Sequence, residues 1–196
     1  MDEMREHRLL RLLSEDPSCI LFLKNKCATD NMWKLCIQLE PGLFQYKEDP
    51  SPELCLFALQ EDGSNLKYVV NVPGIKITPE MIYTAVKSYP AAVFDVPLPM
   101  RDAAIKEYAC DLDPTLIKNF SNLRRGYIEK KIKEDPMFIR FLDDPDEDLV
   151  YHAIETDPNY CVYVKNFTPR IKGLIKTLYP DIIPLIPGLS QKLLDF

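Results

Sequence analysis

Side chains that could support nucleophilic or acid–base chemistry are few and widely spaced in this sequence. There are two histidines, His7 and His152, and six cysteines that form no CxxC pair. His152 and Cys161 are nine residues apart, so a Cys–His pair is conceivable, but a core thiol and a surface imidazole explain the same two residues. A Ser–His–Asp triad would need a third, orienting group that the spacing does not reveal. The sequence therefore indicates a protein that is not an enzyme.

Motifs that bind metals or cofactors are missing from the sequence. It contains no Walker loop, GxGxxG, HExxH or EF-hand loop, and its six glycines leave little for a phosphate-binding loop. The carboxylates between Asp143 and Asp148 could hold Mg²⁺ or Ca²⁺. However, Pro145 interrupts this run, and no glycine supplies the sharp turn of a calcium loop. We expect a solvated loop here, with no metal and no cofactor.

Charge is distributed unevenly in the second half of the sequence. Two basic zones, residues 124–133 and 165–176, flank a segment, residues 143–157, that has seven acids and no base. The candidate partner-binding residues in the two zones are Arg124, Arg125, Tyr127, Lys130, Lys131, Lys133, Lys165, Arg170 and Lys172. Two interpretations are open. The zones either attract the acidic segment in neighbouring structural units or form a binding stripe for a charged partner.

Nucleic acid is one candidate for such a partner, because Tyr127 is interleaved with basic residues in the first zone. However, 30 acids against 24 bases give a net charge of −6, which argues against a general DNA-coating protein. A protein partner is therefore the main interpretation, and direct nucleic-acid binding is the alternative. No apolar run approaches the roughly 18 residues of a membrane-spanning helix, and the charged start MDEMREHR does not resemble a signal peptide. These features predict a cytoplasmic protein.

An internal repeat organises the whole sequence. Asp-Pro or a related dipeptide recurs at intervals of 22 to 27 residues. The second residues of these dipeptides, which we call anchors, are Pro17, Pro41, Gly63, Pro90, Pro114, Pro136, Pro158 and Pro180. The third residue after the anchor is apolar in all eight copies, and the fourth residue before it is apolar in seven. Apolar positions that keep phase in this way predict one structural unit per copy.

Each copy has the pattern of two helices joined at the anchor. The first begins with signals such as Ser51-Pro52-Glu53, in which a hydroxyl caps the helix, Pro fits its first turn and a carboxylate complements its dipole. About ten residues follow, with apolar residues three and four apart. The anchor ends this helix, because the residue before Pro avoids helical geometry, and starts a second one of about eight residues. Aromatic residues after the anchor are expected on this buried second helix, namely Phe44, Tyr46, Phe138, Phe141 and Tyr160.

A hairpin of about 23 residues cannot bury its own apolar face, so several copies must stack. We predict an all-α array of about eight helix–turn–helix repeats over residues 1–183, with a C-terminal cap at residues 184–196. A single helical bundle with a coincidental period is the alternative. The longest interval contains Pro73-Gly74, and it predicts a bend near residues 71–79 or a joint between sub-arrays 1–72 and 78–183.

Blocks such as DEDLVYHAIETDPNYCVYVKN and SPELCLFALQEDGSNLKYVV resemble a family of short, Asp-Pro-containing helical repeats of unknown function, which occurs in bacterial, phage and large-DNA-virus proteins. The resemblance covers nearly the whole chain, although Gly63 stands where the pattern has Pro. It implies a repeat fold and a viral or mobile-element origin, and it supplies no catalytic residue. Because solenoids generally bind partners on extended surfaces, we expect a protein–protein interaction module. One concrete form is a phage protein that modulates a host RNA polymerase, sigma factor or defence nuclease.

Overall fold

The computed structural model describes residues 3–23, 27–185, 189 and 191, and every regular element in these ranges is helical. The α-helices are α1 (Glu3–Glu15), α2 (Asp30–Leu39), α3 (Pro52–Glu61), α4 (Leu66–Val69), α5 (Pro79–Ser88), α6 (Ala103–Leu112), α7 (Arg125–Glu134), α8 (Glu147–Thr156) and α9 (Pro169–Leu178). Apart from α1 and the single turn α4, each α-helix has the ten residues that the sequence predicts. The predicted all-α repeat array is confirmed.

The second helix of each copy is shorter and tighter than predicted. Six-residue 3₁₀ helices begin at six of the anchors, at Pro17–Phe22, Pro41–Tyr46, Pro90–Asp95, Pro114–Asn119, Pro136–Phe141 and Pro158–Tyr163. The third copy has Gly63–Asn65 followed directly by α4, and the eighth has Pro180–Ile182. The predicted length of about eight residues for the second helix was therefore wrong. A 3₁₀ helix has three residues per turn, so residues three apart lie on the same side of it. Each six-residue segment therefore makes only two turns.

The buried residues lie at fixed distances along the sequence from each anchor. The third residue after the anchor is buried in seven of the eight copies, and so are all seven apolar residues four positions before it. Phe44 and Phe138 are buried as predicted, whereas Phe141 and Tyr160 are half-buried. Tyr46, the fifth residue after its anchor, is 57% exposed, which corrects its predicted burial. The residues near the end of each 3₁₀ helix thus lie at or near the surface.

Side-chain caps explain where most helices begin. Before six α-helices, a side-chain oxygen accepts the backbone N–H of the third helical residue, and these caps are Thr29, Ser51, Thr78, Asp102, Asp146 and Thr168. Before four of the 3₁₀ helices, a carboxylate accepts the N–H two residues further on, and these caps are Asp16, Asp62, Asp135 and Asp157. Each cap satisfies a backbone donor that the helix itself leaves open. Helix α7 differs, because Arg124 precedes it and supplies no side-chain cap.

The chain divides into two compact units, Met1–Asp113 and Pro114–Phe196. Within the first unit, α1, α2, α3, α5 and α6 each pack against the next, and the 3₁₀ helices of the second, third and fourth copies pack against one another. Within the second unit, α7, α8 and α9 pack in the same order, as do the 3₁₀ helices of the fifth, sixth and seventh copies. Residues 71–79 lie inside the first unit, and most of the predicted cap at 184–196 lies outside the described residues.

Candidate protein-binding cleft

The first basic zone of the second unit pairs with the acidic segment of the following repeat. Arg125, the first residue of α7, approaches Asp146, the cap of α8, with 3.3 Å between Nη2 and Oδ2. The same guanidinium nitrogen lies 3.9 Å from Asp148. Its Nε donates to Glu129 Oε1 at 2.7 Å. The hydrogen bond to Glu129, followed by the charge of Asp146, raises the pKa of Arg125, so this side chain stays charged while it joins the two helices.

The second basic zone reaches the same acidic segment from the next repeat. Arg170 Nη1 donates to Asp148 Oδ1 at 2.6 Å and lies 3.9 Å from Glu147 Oε2. The hydrogen bond to Asp148 raises the pKa of Arg170. Lys165 Nζ donates to the carbonyl oxygen of Asp143 at 2.8 Å. The partners are 22 or 23 residues apart, which is one repeat, so the charges meet because of the repeat register.

The other basic candidates lie in different environments. Lys130 and Lys131 each have Nζ 3.6 Å from a carboxylate oxygen of Glu134. Lys172 is 7% exposed, which corrects its assignment to a surface binding stripe. Lys133 is exposed on the surface of α7.

Arg124 and Tyr127 complete the first zone. Arg124 is exposed, and Tyr127 is half-buried with Lys131 Nζ 5.8 Å from its ring centroid. Exposed ion pairs such as those of Arg125 contribute little to stability, because solvent screens them. Their geometry nevertheless supports the interpretation that the basic zones attract the acidic segment between them, and it leaves fewer cations free for a partner.

An open cleft of about 620 Å³ lies beside these ion pairs in the second unit. Its lining comes from the 3₁₀ helix Pro114–Asn119 and the loop after it, and from the loop that follows Phe141. Its volume falls in the range of about 300–1,000 Å³ that is usual for ligand sites. Five half-buried apolar side chains line it, namely Phe120, Leu123, Ile128, Phe141 and Leu142. The cleft therefore offers a partner an apolar surface.

The charged side chains of the cleft fall into two groups. Arg125, Asp143 and Asp146 take part in the ion pairs between repeats. Lys118 and Asp144 are exposed, and neither has an ion pair or a hydrogen bond of its side chain within the part of the chain that the structure describes. One positive and one negative charge thus remain unpaired at the edge of an apolar cleft.

A smaller groove occupies the equivalent position between the second and third repeats in the first unit. It measures about 280 Å³, and its lining includes Gln45, Lys47, Glu48, Tyr68 and Asn71. The hydroxyl of Tyr68 donates to Gln45 Oε1 at 3.2 Å and so joins the two repeats that form the groove. Two pairs of neighbouring repeats thus leave a groove at this position, and the cleft of the second unit is the larger of the two.

The structure shows the environments of the buried cysteines, of His152 and of the acidic segment. Burial raises the pKa of Cys36 and Cys55 to about 11 and that of Cys110 to about 12, so these thiols are protonated at neutral pH. Cys161 is buried, and His152 is partly exposed with Nδ1 4.0 Å from Glu155. In the described ranges, no group of three or more His, Cys, Asp or Glu side chains is arranged to hold a metal ion.

The sequence does not single out Lys118, Phe120 or Asp144 as candidate functional residues. Asp144 falls in the expected solvated loop, and the other two residues have no motif around them. The only signal in the sequence is their position in the repeat. Each residue follows the two adjacent buried residues of a 3₁₀ helix, in the part of the repeat where the groove forms.

The fold defines this chain as an all-α helical repeat protein. Comparison with known protein families, curated proteins and solved structures finds no match. Among the described residues, no helix has the length and apolar character that crossing a membrane requires.

Proposed function

We propose that this protein is a non-enzymatic protein–protein interaction module, and that its partner docks at the cleft of the second unit. One observation supports this function most strongly: the cleft combines half-buried apolar side chains with two unpaired opposite charges. Covering apolar surface yields about 25 cal/mol per Å², and flanking charges contribute mainly specificity and association rate. With the viral origin that the sequence resemblance implies, the partner is a host protein such as RNA polymerase, a sigma factor or a defence nuclease.

Direct nucleic-acid binding by the two basic zones is the less favoured function. Arg125, Arg170 and Lys165 already face acidic groups of the next repeat, so phosphates would have to compete with carboxylates. The second unit also contains twelve Lys and Arg against twelve Asp and Glu. It therefore has no excess positive charge to release counterions from a nucleic acid.

The experiment is a pull-down from host-type lysate with three forms of the full chain. The first is the wild type, and the second is Lys118→Glu/Asp144→Lys, which reverses both unpaired charges of the cleft. The control is Lys130→Glu/Lys133→Glu, which reverses exposed charges of α7 instead. Each form is used at low and high salt, with and without nuclease, and bound proteins are identified by mass spectrometry.

The expected result is a protein that the wild type and the control retain with nuclease present, and that the cleft variant loses. Retention by all three forms would place the partner elsewhere and overturn the cleft as the docking site. The alternative predicts a different pattern. If proteins are recovered only at low salt, and are lost both on nuclease treatment and in the Lys130→Glu/Lys133→Glu control, nucleic-acid binding replaces this function.

A further inference from the structure

We infer that the cleft recognises a short linear segment of the partner, in which an apolar anchor side chain is flanked by one acidic and one basic residue. This inference rests on the proposed function and names the chemistry that the same cleft recognises. Three features of the cleft carry it, and they are its size, the positions of its apolar side chains and the two unpaired charges.

The size of the cleft suits a few side chains of a segment. At about 620 Å³ it is comparable to sites that enclose a small ligand. A broad contact between two folded domains buries about 800 Å² on each partner and does not need a concave site. A partner that uses this cleft therefore inserts a short piece of chain into it.

The apolar lining specifies the anchor. Phe120, Leu123 and Ile128 come from the loop after the fifth 3₁₀ helix and from α7, whereas Phe141 and Leu142 come from the end of the sixth 3₁₀ helix. All five side chains are half-buried, so each has surface that an inserted side chain could cover. A Leu, Met or aromatic residue on the segment supplies the apolar area that matches this lining.

The unpaired charges specify the flanking residues. Lys118 belongs to the 3₁₀ helix Pro114–Asn119, and Asp144 belongs to the loop after Phe141, so the two charges are on different repeats that both line the cleft. An acidic residue of the segment complements Lys118, and a basic residue complements Asp144. The other charged groups of the lining, Arg125, Asp143 and Asp146, are already paired within the protein, so they add less to this selection.

The test uses a random twelve-residue peptide library selected on the immobilised full chain. The wild type should enrich peptides in which an apolar residue lies close to one acid and one base. Lys118→Glu should exchange the preferred acid for a second base, and Asp144→Lys should exchange the preferred base for a second acid. The matched control, Lys176→Glu, reverses an exposed charge of α9 outside the cleft lining and should select the same peptides as the wild type.

A synthetic peptide from the wild-type selection provides the quantitative measurement. Its dissociation constant should rise roughly tenfold with Lys118→Glu, because one attractive exposed pair becomes a repulsive one, and it should not change with Lys176→Glu. Circular dichroism checks that each variant is folded, which we expect since neither Lys118 nor Asp144 has a partner to lose within the described residues.

The two proposals fail in different ways. A wild type that keeps a cleft-dependent partner in the pull-down, but selects no peptides of this composition, overturns the inference about the segment and leaves the interaction function in place. Selection of the same peptides by Lys118→Glu and the wild type also overturns it. If the wild type captures no protein at all, the proposed function itself is overturned.

Discussion

Two junctions between neighbouring repeats, from the second to the third and from the sixth to the seventh, use the same two positions but with opposite polarity. In the first unit, the Ser51 hydroxyl that caps α3 donates to Asp30, the first residue of α2, at 2.7 Å. In the second unit, Asp146, the cap of α8, forms an ion pair with Arg125, the first residue of α7, with 3.3 Å between Oδ2 and Nη2. In both junctions the partners are 21 residues apart. The repeat register thus fixes where contact occurs and leaves its chemistry open.

A third junction shows that the type of contact does not differ simply between the first and the second unit. The Thr168 hydroxyl, which caps α9, donates to Glu147, the first residue of α8. The second unit therefore uses a hydroxyl–carboxylate junction and an ion-pair junction side by side. Arg125 thus adds a positive charge to the first basic zone at the position where α2 has Asp30 and α8 has Glu147.

The largest expected effect comes from breaking the apolar core of the second unit. Ile139→Asp places a carboxylate at a position that is 1% exposed, and an unpaired buried charge costs several kcal/mol. We expect the variant to lose the helical signal of the second unit in circular dichroism at room temperature. Val162→Asp is the matched control, because Val162 is 51% exposed, and it should change the free energy of unfolding by about 0.5 kcal/mol or less. Equal loss in both variants would contradict the burial register.

The next effect tests why the third repeat departs from the others. A Cβ atom on Gly63 would lie 1.9 Å from the carbonyl oxygen of Ala85 and 2.9 Å from the nitrogen of Tyr89. The N–H of Gly63 also donates to Ser88 Oγ at 3.2 Å, which a proline could not do. We therefore expect Gly63→Ala to lower the free energy of unfolding by about 1–3 kcal/mol or more in urea titrations, because backbone must move to make room.

Gly42 supplies the control for this substitution. It is exposed in the 3₁₀ helix Pro41–Tyr46, and a Cβ atom there would have no neighbour within 4 Å. Gly42→Ala should therefore be neutral or slightly stabilising, since it reduces the freedom of the unfolded chain. A Gly63→Ala variant as stable as Gly42→Ala would show that the close approach of α5 does not explain the missing proline.

The anchors and caps predict most of the fold, because each carries a local physical signal. Pro at the first position of a helix and a capping side chain before it mark the α-helices to within a few residues. The 3₁₀ form of the second helix was not predictable, since an apolar pattern over six residues fits both three and 3.6 residues per turn. Gly63 likewise stood out in the sequence, but only the approach of Ala85 explains it.

The candidate site was only partly predictable. The spacing of about 22 residues indicated that basic and acidic segments become neighbours, but it could not show that Arg125 and Arg170 point toward the acids. The cleft depends on how far apart the loops of two repeats lie, and no residue type encodes that distance. Lys118 and Asp144 therefore become candidates only when the packing is known.

Removing the caps of the two contrasted junctions should give a smaller and more informative effect. Ser51→Ala and Asp146→Ala each remove a hydrogen bond to the third N–H of a helix, which costs about 0.5–2 kcal/mol. Only Asp146 also pairs with a cation, Arg125, so its cost should decrease as salt screens the pair. Urea titrations at about 0.05 and 0.5 M salt measure this. Equal salt dependence in the two variants would contradict the difference in chemistry between the junctions.

The smallest expected effect converts one junction into the other. Arg125→Asp puts a carboxylate beside Asp146 and Asp148, so this single change should lower the free energy of unfolding by about 1 kcal/mol. Adding Asp146→Ser supplies a hydroxyl that can both cap α8 and donate to the new carboxylate, as Ser51 does with Asp30. The double variant should therefore recover most of the loss and lose the salt dependence of the wild-type junction.

A double-mutant cycle makes this conversion measurable. The coupling between Arg125→Asp and Asp146→Ser should be favourable by about 0.5 kcal/mol or more, which is the size expected for residues in direct contact. The matched control combines Arg125→Asp with Thr168→Ser, which keeps a capping hydroxyl at a junction that Arg125 does not touch. That pair should be additive. A coupling near zero in the first cycle would mean that the two junctions share a spacing but not a common geometry.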